Sequence, residues 1–178
     1  MTPDTVLHFW FKEITPDQWW KVDPDFDGLI AERFDALHAS AAQGECFTWR
    51  GTPQGRLAEV IVLDQFSRNL HRGKAGAFAC DAMALALAQE AVAAAVDLAL
   101  QVAERAFLYM PYMHSESRLI HVEAERLFAE RAPANLDFEL RHKAIVDRFG
   151  RYPHRNPALG RESTAEELAF LQEPGSRF

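Results

Sequence analysis

The apolar positions of this chain repeat mostly at intervals of three and four residues, a spacing that places them on one face of an α-helix. We find no run of alternating β-branched residues bounded by turns, which is the usual pattern of a strand. The pattern therefore predicts an all-α protein with seven or eight helices joined by short turns.

Capping residues predict where several of these helices begin and end. Four polar residues stand directly before a proline, a combination typical of a helix N-terminus. These residues are Thr2, Thr15, Asp23 and Thr52. Glycines that suit the left-handed C-cap conformation indicate helix ends. These glycines are Gly44, Gly73 and Gly150.

The longest predicted helices follow Gly73. One covers residues 75–95 and the next covers residues 102–130, and a short helix over residues 164–172 ends the pattern. Pro111 lies inside the second of them. Because proline removes a backbone hydrogen bond, we expect that helix to kink or restart at Pro111.

Length and charge narrow the class of protein. The chain has 178 residues, 48% of them apolar, which suffices for one domain with a full core, so we expect a single helical domain over residues 1–178. The net charge of -7 argues against a nucleic-acid partner, since proteins that bind nucleic acid usually present a basic face.

The cysteines and the apolar stretches indicate neither a cofactor nor a membrane. Cys46 and Cys80 belong to no zinc-binding pattern, so we expect two buried, reduced thiols and no metal or other cofactor. The N-terminus lacks a basic start followed by an apolar run, and Asp81, Gln89 and Glu90 interrupt the alanine-rich stretch. We therefore expect a soluble cytoplasmic protein without a membrane partner.

The first candidate for chemistry is a polar group on an apolar helix. Apolar residues cover most of the surface of residues 56–70, yet Asp64, Arg68 and His71 share one stripe, with Gln65 beside it. Burying ionisable groups is costly unless they are paired, so such a group is either a structural ion-pair network or a site. The pairing of Asp64 with Arg68, four residues later, would by itself explain both residues.

A second candidate group follows Pro111. His114, Arg118, His121 and Glu125 are spaced to lie on one face of a helix. Two histidines and a carboxylate suggest a metal site, and a metal-dependent hydrolase would use His114, Glu116 and His121. The two histidines are about two helical turns apart, however, so one ion is not easily held by both. A solvated helix face is the simpler interpretation.

A third candidate group is an arginine-rich segment near the C-terminus, stiffened by Pro153 and Pro157. Its polar members are Arg148, Arg151, His154, Arg155, Asn156 and Arg161. Arginine side chains bind carboxylate and phosphate groups through paired hydrogen bonds, so the cluster indicates an anion site. Alternatively, these arginines pair with aspartate and glutamate elsewhere in the domain.

Several long motifs resemble a known family. They are VLHFWF near the start, LDQFSRNLHRG and FLYMPYMHSE in the middle, and RFGRYPHRNPALGREST followed by EELAFL near the end. In this order they resemble a bacterial family of unknown function, domain of unknown function nine-two-four, over nearly the whole chain. The resemblance implies a tetratricopeptide-repeat-like fold, in which antiparallel helix pairs stack into a right-handed superhelix. It implies no activity that could be carried over.

The three groups together predict a pocket that binds a small anionic ligand, with Asp64 orienting Arg68 or His71. The expected ligand-binding residues are Asp64, Gln65, Arg68, Arg148, Arg151, Arg155 and Asn156. If the protein catalyses a reaction, histidine is the expected general acid or base because it titrates near neutral pH. The candidates are His71, His114 and His154.

Two other functions stay open. An interaction module would present a helical groove to a partner protein and use aromatic and arginine residues as anchors, with the polar stripes serving only the fold. A metal-dependent hydrolase built on His114, Glu116 and His121 is the weaker alternative.

Overall fold

The computed structural model describes residues 1–176, and its secondary structure over that range is entirely helical. The α-helices are α1 (Pro3–His8), α2 (Pro24–Ala42), α3 (Pro53–Ile61), α4 (Ser67–Leu70), α5 (Asp81–Ala93), α6 (Val102–Met113), α7 (Arg118–Arg131), α8 (Leu136–Phe149) and α9 (Ala165–Phe170). A π-helical turn, Val62–Phe66, joins α3 directly to α4, so these two form one continuous helix. The all-α prediction is confirmed. With α3 and α4 counted as one, the described residues contain eight α-helices.

The predicted caps are confirmed where helices begin and end. The side chain of Asp23 accepts a hydrogen bond from the backbone N–H of Asp25, and that of Thr52 accepts one from Gly55. Gly73 and Gly150 have φ angles of +74° and +71°, in the left-handed region that glycine enters without a steric cost. These local signals therefore set the boundaries of α2, α3, α4 and α8.

The predicted helices after Gly73 are interrupted more than the sequence indicated. Residues 75–78 form a short 3₁₀ helix, and the α-helical part of the 75–95 stretch starts only at Asp81. The helix expected over residues 102–130 is two helices, α6 and α7. Pro111 lies inside α6, and the chain leaves the helix at His114, where the side chain of Ser115 accepts a hydrogen bond from the N–H of Ser117 and forms a turn.

Most of the core lies between the first helices and α6. Phe9, Trp10, Phe34, Phe66 and Phe107 are buried there, and neighbouring rings lie 4.8 to 6.2 Å apart between centroids, often edge to face. Consecutive helices α6, α7 and α8 pack against each other. The right-handed superhelix stays a prediction. So does the single domain over residues 1–178, because two of those residues lie outside the described range.

Helix α5 belongs to this core. Among the described residues, the stretch 75–93 is the one segment whose length and mean hydropathy of 1.2 would allow it to cross a membrane. Ala84, Ala88 and Ala91 are fully buried in the helical core, and Asp81 at the start of α5 forms ion pairs. The cytoplasmic location stays a prediction. Cys46 and Cys80 are buried and form no disulfide within the described range, as expected.

Candidate functional site

A cavity of about 460 Å³ lies between α4, α6, α8 and the segment around Tyr152 to Ala158. Small-molecule sites in proteins have volumes of roughly 300–1,000 Å³. Aromatic rings form much of its wall, namely those of Trp19, Trp20, Phe78, Phe138 and Tyr152. Its polar lining consists of Lys21, Gln65, Arg68, Asn69, Arg72, His114, Asn135, His142, His154 and Arg155. The cavity thus combines flat apolar walls with a dense group of hydrogen-bond donors.

The π-helical turn decides which side chains of the central helix reach this cavity. A π turn inserts one extra residue into the helix, which rotates everything after it relative to an ideal α-helix, and such turns occur often at functional sites. Asp64 lies inside the turn and is fully buried, whereas Arg68 lies in α4 and lines the cavity. His71, which an ideal helix would place on the same stripe, packs instead against His38, with 5.5 Å between the ring centroids.

Asp64 is the centre of a buried hydrogen-bond network behind the cavity wall. Its two carboxylate oxygens lie 2.9 and 3.0 Å from Nδ1 of His114, and Gln65 donates to Oδ2 over 2.6 Å. Nη1 of Arg68 lies 3.2 Å from Oδ1. Burial alone would raise the pKa of Asp64, but the charge of Arg68 and the contact with His114 outweigh it, so the pKa is lowered. The carboxylate is therefore ionised at neutral pH.

This carboxylate holds the ring of His114, a residue that lines the cavity. A carboxylate only accepts hydrogen bonds, so Nδ1 of His114 carries the proton and Nε2 has the lone pair. Burial lowers the pKa of His114, and the nearby Arg68 charge adds to this effect, which Asp64 offsets only in part. The imidazole is therefore neutral at pH 7. Nε2 has no hydrogen-bond partner within residues 1–176, and the side chain is 14% exposed at the cavity wall.

Two arginines share one carboxylate on the same side of the cavity. Arg68 donates to both oxygens of Asp81 over 3.0 and 3.2 Å, and Arg155 donates to Oδ2 of Asp81 over 3.3 Å and to the carbonyl oxygen of His114 over 3.0 Å. The guanidinium of Arg155 is stacked on Phe78 and Tyr152, with its carbon 4.6 and 4.5 Å from the ring centroids. Burial lowers the pKa of Arg155, and repulsion from Arg68 lowers it further.

Arg155 also has a donor that the protein leaves unused. Its Nε is buried and has no acceptor among the described residues, although the side chain is only 6% exposed. A buried donor without a partner costs roughly 1–3 kcal/mol, so such a group calls for an explanation, and a ligand or a water molecule in the cavity is one.

The mouth of the cavity carries a further cation and two exposed rings. Arg72 lines the cavity and donates to both oxygens of Asp27 over 2.6 and 2.7 Å. Trp20 and Phe138 are 58% and 48% exposed, and their rings are stacked with 6.3 Å between centroids and 9° between planes. The described lining includes cationic side chains but no aspartate or glutamate. Carboxylates such as Asp64, Asp81 and Asp27 lie behind the lining and fix the arginines in place.

A second buried network lies behind Tyr152, another wall residue. Glu139 and His121 are both fully buried, with Oε1 of Glu139 2.7 Å from Nδ1 of His121. Nε2 of His121 donates to the carbonyl oxygen of Ser115 over 2.8 Å, since a carbonyl can only accept. The hydroxyl of Tyr152 donates to the carbonyl oxygen of Met113 over 2.6 Å. Burial raises the pKa of Glu139 despite its contact with His121.

The residues of the metal-hydrolase alternative have three different partners. His114 contacts Asp64, His121 contacts Glu139, and Glu116 accepts hydrogen bonds from Arg161 over 2.6 and 2.9 Å. Because α6 ends at Met113, His114 and His121 do not share one helix face as the sequence suggested. Across residues 1–176, no three His, Cys, Asp or Glu side chains are grouped closely enough to hold a metal ion.

The structure brings together about half of the site residues named from the sequence. Gln65, Arg68, His114, His154 and Arg155 line the cavity, and Asp64 lies directly behind it. The others lie elsewhere. Arg148 pairs with Glu166, Arg151 pairs with Glu167, Asn156 donates to Ser163 and Glu167, and His71 packs against His38. Asp81, Phe78 and His142 contact or line the cavity but were not predicted as site residues, although Asp81 stands out in its alanine-rich stretch.

Comparison with known proteins gives two matches of unknown function. Residues 6–175 match the sequence profile of a family described as bacterial protein of unknown function (DUF924). Among solved structures, the protein is similar to a protein of unknown function from Agrobacterium tumefaciens, with 36% sequence identity, a TM-score of 0.91 and 96% of each chain covered. No curated protein matches the chain.

The profile match and the structural match agree with the motifs noted in the sequence. The profile covers nearly the whole chain, and the solved relative shares both sequence and fold with it. The protein therefore belongs to DUF924, a family of bacterial proteins of unknown function.

Proposed function

We propose that the cavity binds a small organic anion, in which a carboxylate or phosphate group is attached to a flat apolar body. The single observation that carries this proposal is the guanidinium of Arg155, which lines the cavity with its buried Nε–H unpaired among the described residues. An anionic oxygen at this position would satisfy the donor, and charge-assisted hydrogen bonds of this kind are about twice as strong as neutral ones.

The charges of the lining support an anion rather than a cation. The described lining contains arginine and lysine side chains and no carboxylate. Arg68 and Arg155 are held by Asp81 from one side, so their orientation is set before a ligand arrives, which reduces the entropic cost of binding. The carboxylates behind the wall also stabilise the two like charges at close distance.

The aromatic walls support a ligand with a flat apolar part. Phe78 and Tyr152 already stack on Arg155, while Trp20 and Phe138 are stacked at the mouth with much of their surface exposed. Contact with a ring or a flat apolar group would cover this surface and gain the hydrophobic free energy of its burial. These exposed rings border the cavity, so we assign them to the ligand rather than to a partner protein.

Isothermal titration calorimetry with benzoate and phenyl phosphate tests the proposal, with benzyl alcohol as the neutral probe. We expect the two anions to bind and benzyl alcohol to bind far more weakly. Arg155→Met should raise the Kd of the anions roughly 10- to 100-fold, because a hydrogen bond to a charged group contributes about 1.5–3 kcal/mol. Arg155→Lys keeps the charge but not the paired donors and should have an intermediate effect.

Arg126→Met is the matched control, because Arg126 is 41% exposed, pairs with Glu123 and Glu130 on α7 and does not line the cavity. This variant should bind the anions as the unmodified protein does. An equal loss of anion affinity in both arginine variants would contradict the proposal. Equal affinity for benzyl alcohol and benzoate would contradict it as well.

A further inference from the structure

We propose that the cavity is also a catalytic site, in which His114 acts as a general base and water hydrolyses an ester that carries a free carboxylate. This inference rests on the proposed anion binding and adds a reaction to it. The observation behind it is the contact between Asp64 and His114, in which a fully buried carboxylate holds Nδ1 of a residue that lines the cavity, so the second ring nitrogen carries the lone pair.

Asp64 and His114 together have the geometry of a general base that is held in a fixed orientation. A carboxylate on one ring nitrogen fixes both the tautomer and the orientation of an imidazole, so the lone pair on the other nitrogen is directed to a defined place. Asp64 is itself immobilised by Gln65 and Arg68. Asp64 is thus a positioning residue, and His114 is the group that contacts the reactants.

The surroundings of His114 keep it in the basic form. The charged and titratable groups around its ring are Asp64 from the π turn, Arg68 from α4, Asp81 from α5 and His142 from α8, while Arg155 from the C-terminal segment contacts its backbone carbonyl oxygen. Burial and the positive charge of Arg68 outweigh the attraction of Asp64, so the pKa of His114 is lowered. Burial lowers the pKa of His142 to about 3, so that ring adds no charge at neutral pH.

Water is the nucleophile that the wall allows. The described lining includes no serine, threonine or cysteine, the side chains that usually form acyl intermediates. A base on the wall would then act on a water molecule beside the bound ester. The cavity of about 460 Å³ has room for a small ester together with this water.

The reaction can be written with all atoms accounted for. Nε2 of His114 takes a proton from water as the water oxygen bonds to the ester carbonyl carbon, and the carbonyl electrons move to the oxygen. The bond from carbon to the alcohol oxygen then breaks, and this oxygen takes the proton back from Nε2. The products are a carboxylic acid and an alcohol, and His114 is neutral again.

The two arginines supply the stabilisation that this reaction needs. Arg68 lies 3.2 Å from Asp64, and its charge acts on His114, so its guanidinium is close to the base and suited to stabilise the negative oxygen of the intermediate. Arg155, whose Nε–H has no acceptor among the described residues, binds the free carboxylate of the ester, as in the proposed function.

Release of 4-nitrophenolate from the monoester 4-nitrophenyl hydrogen glutarate tests this inference, with neutral 4-nitrophenyl acetate for comparison. We expect the anionic ester to be hydrolysed with the higher kcat/KM. His114→Asn keeps a donor for Asp64 but removes the base, and should lower kcat/KM for the anionic ester at least roughly 100-fold. His8→Asn is the control, because the side chain of His8 is 66% exposed on α1.

Asp64→Asn adds a readout that a merely structural role would not change. In the unmodified protein the activity should fall at acid pH as His114 gains a proton. Removing the negative charge of Asp64 lowers the pKa of His114 further, so the acid limb of the pH profile should move to lower pH while the maximal rate decreases.

The two proposals fail in different ways. Hydrolysis that is equal in the unmodified protein and in His114→Asn, or no hydrolysis while glutarate still binds, would overturn the catalytic inference and leave anion binding intact. If neither glutarate nor benzoate binds, the proposed function itself is wrong.

Discussion

Replacing Asp64 by asparagine should lower the free energy of unfolding by roughly 2–4 kcal/mol, because it takes from the partly buried charge of Arg68 one of its two carboxylates and from His114 its acceptor. Asp64 is fully buried and contacts His114, Gln65 and Arg68. Asparagine has nearly the same shape but carries no charge. The decrease in the free energy of unfolding therefore measures the electrostatic contribution of Asp64 to the network. Urea unfolding at pH 7, followed by circular dichroism, measures it.

The pH dependence of this loss follows from the lowered pKa of Asp64. A lowered pKa means that the stabilisation is complete above the unfolded-state value of about 3.9 and disappears as the pH falls towards the folded-state value. The difference between the two proteins should therefore shrink below about pH 4. Asp137→Asn is the control, since Asp137 is 78% exposed and exposed pairs contribute about 0–1 kcal/mol. Equal effects of the two substitutions would contradict the network.

Replacing Glu139 by alanine is the second change with a large expected effect, roughly 3–5 kcal/mol for a lost buried hydrogen bond and a cavity. Glu139 and His121 are both fully buried, and Nε2 of His121 already donates to the carbonyl oxygen of Ser115. Alanine would leave Nδ1 of His121 without a partner and create a cavity. Glutamine can donate to that nitrogen in the neutral ring, so Glu139→Gln should cost only about 1 kcal/mol.

The sign of the pH effect distinguishes Glu139 from Asp64. Because burial raises the pKa of Glu139, its contribution is complete below the unfolded-state pKa of about 4.3 and decreases as the pH rises through the folded-state value. Glu139→Gln cannot titrate, so it should become more stable relative to the unmodified protein as the pH rises from about 4 to 7. Urea unfolding across this range measures the trend. A stability difference that stays constant or decreases over this pH range would contradict the raised pKa of Glu139. Glu130→Gln is the control, because Glu130 is 54% exposed.

The features predicted well from the sequence are those set by neighbouring residues. A threonine before a proline begins α3 because its side chain caps the first turn, and Gly150 ends α8 because it adopts a left-handed conformation. These signals act over a few residues and do not depend on the rest of the fold. The helical class follows from them and from the apolar spacing.

The site was only partly predictable because it depends on the path of the chain. The polar stripe at Asp64 was visible in the sequence, and an ideal helix would place His71 on the same stripe. In the structure, the π turn and the end of α6 bring His114 to Asp64 instead. Likewise, the sequence could not separate Arg155, which reaches the cavity, from Arg148, which pairs with Glu166 of α9. Which carboxylate lies near each arginine is a tertiary property.

A crystal structure with phenyl phosphate bound would test the central claim most directly. The claim is that Arg155 and the aromatic walls form the binding site of a small organic anion. We predict a phosphate oxygen within about 3.2 Å of a nitrogen of Arg155 and the phenyl ring against the wall formed by Trp20 and Phe138. A cavity without phenyl phosphate at a saturating concentration, or phenyl phosphate bound only outside it, would contradict the account.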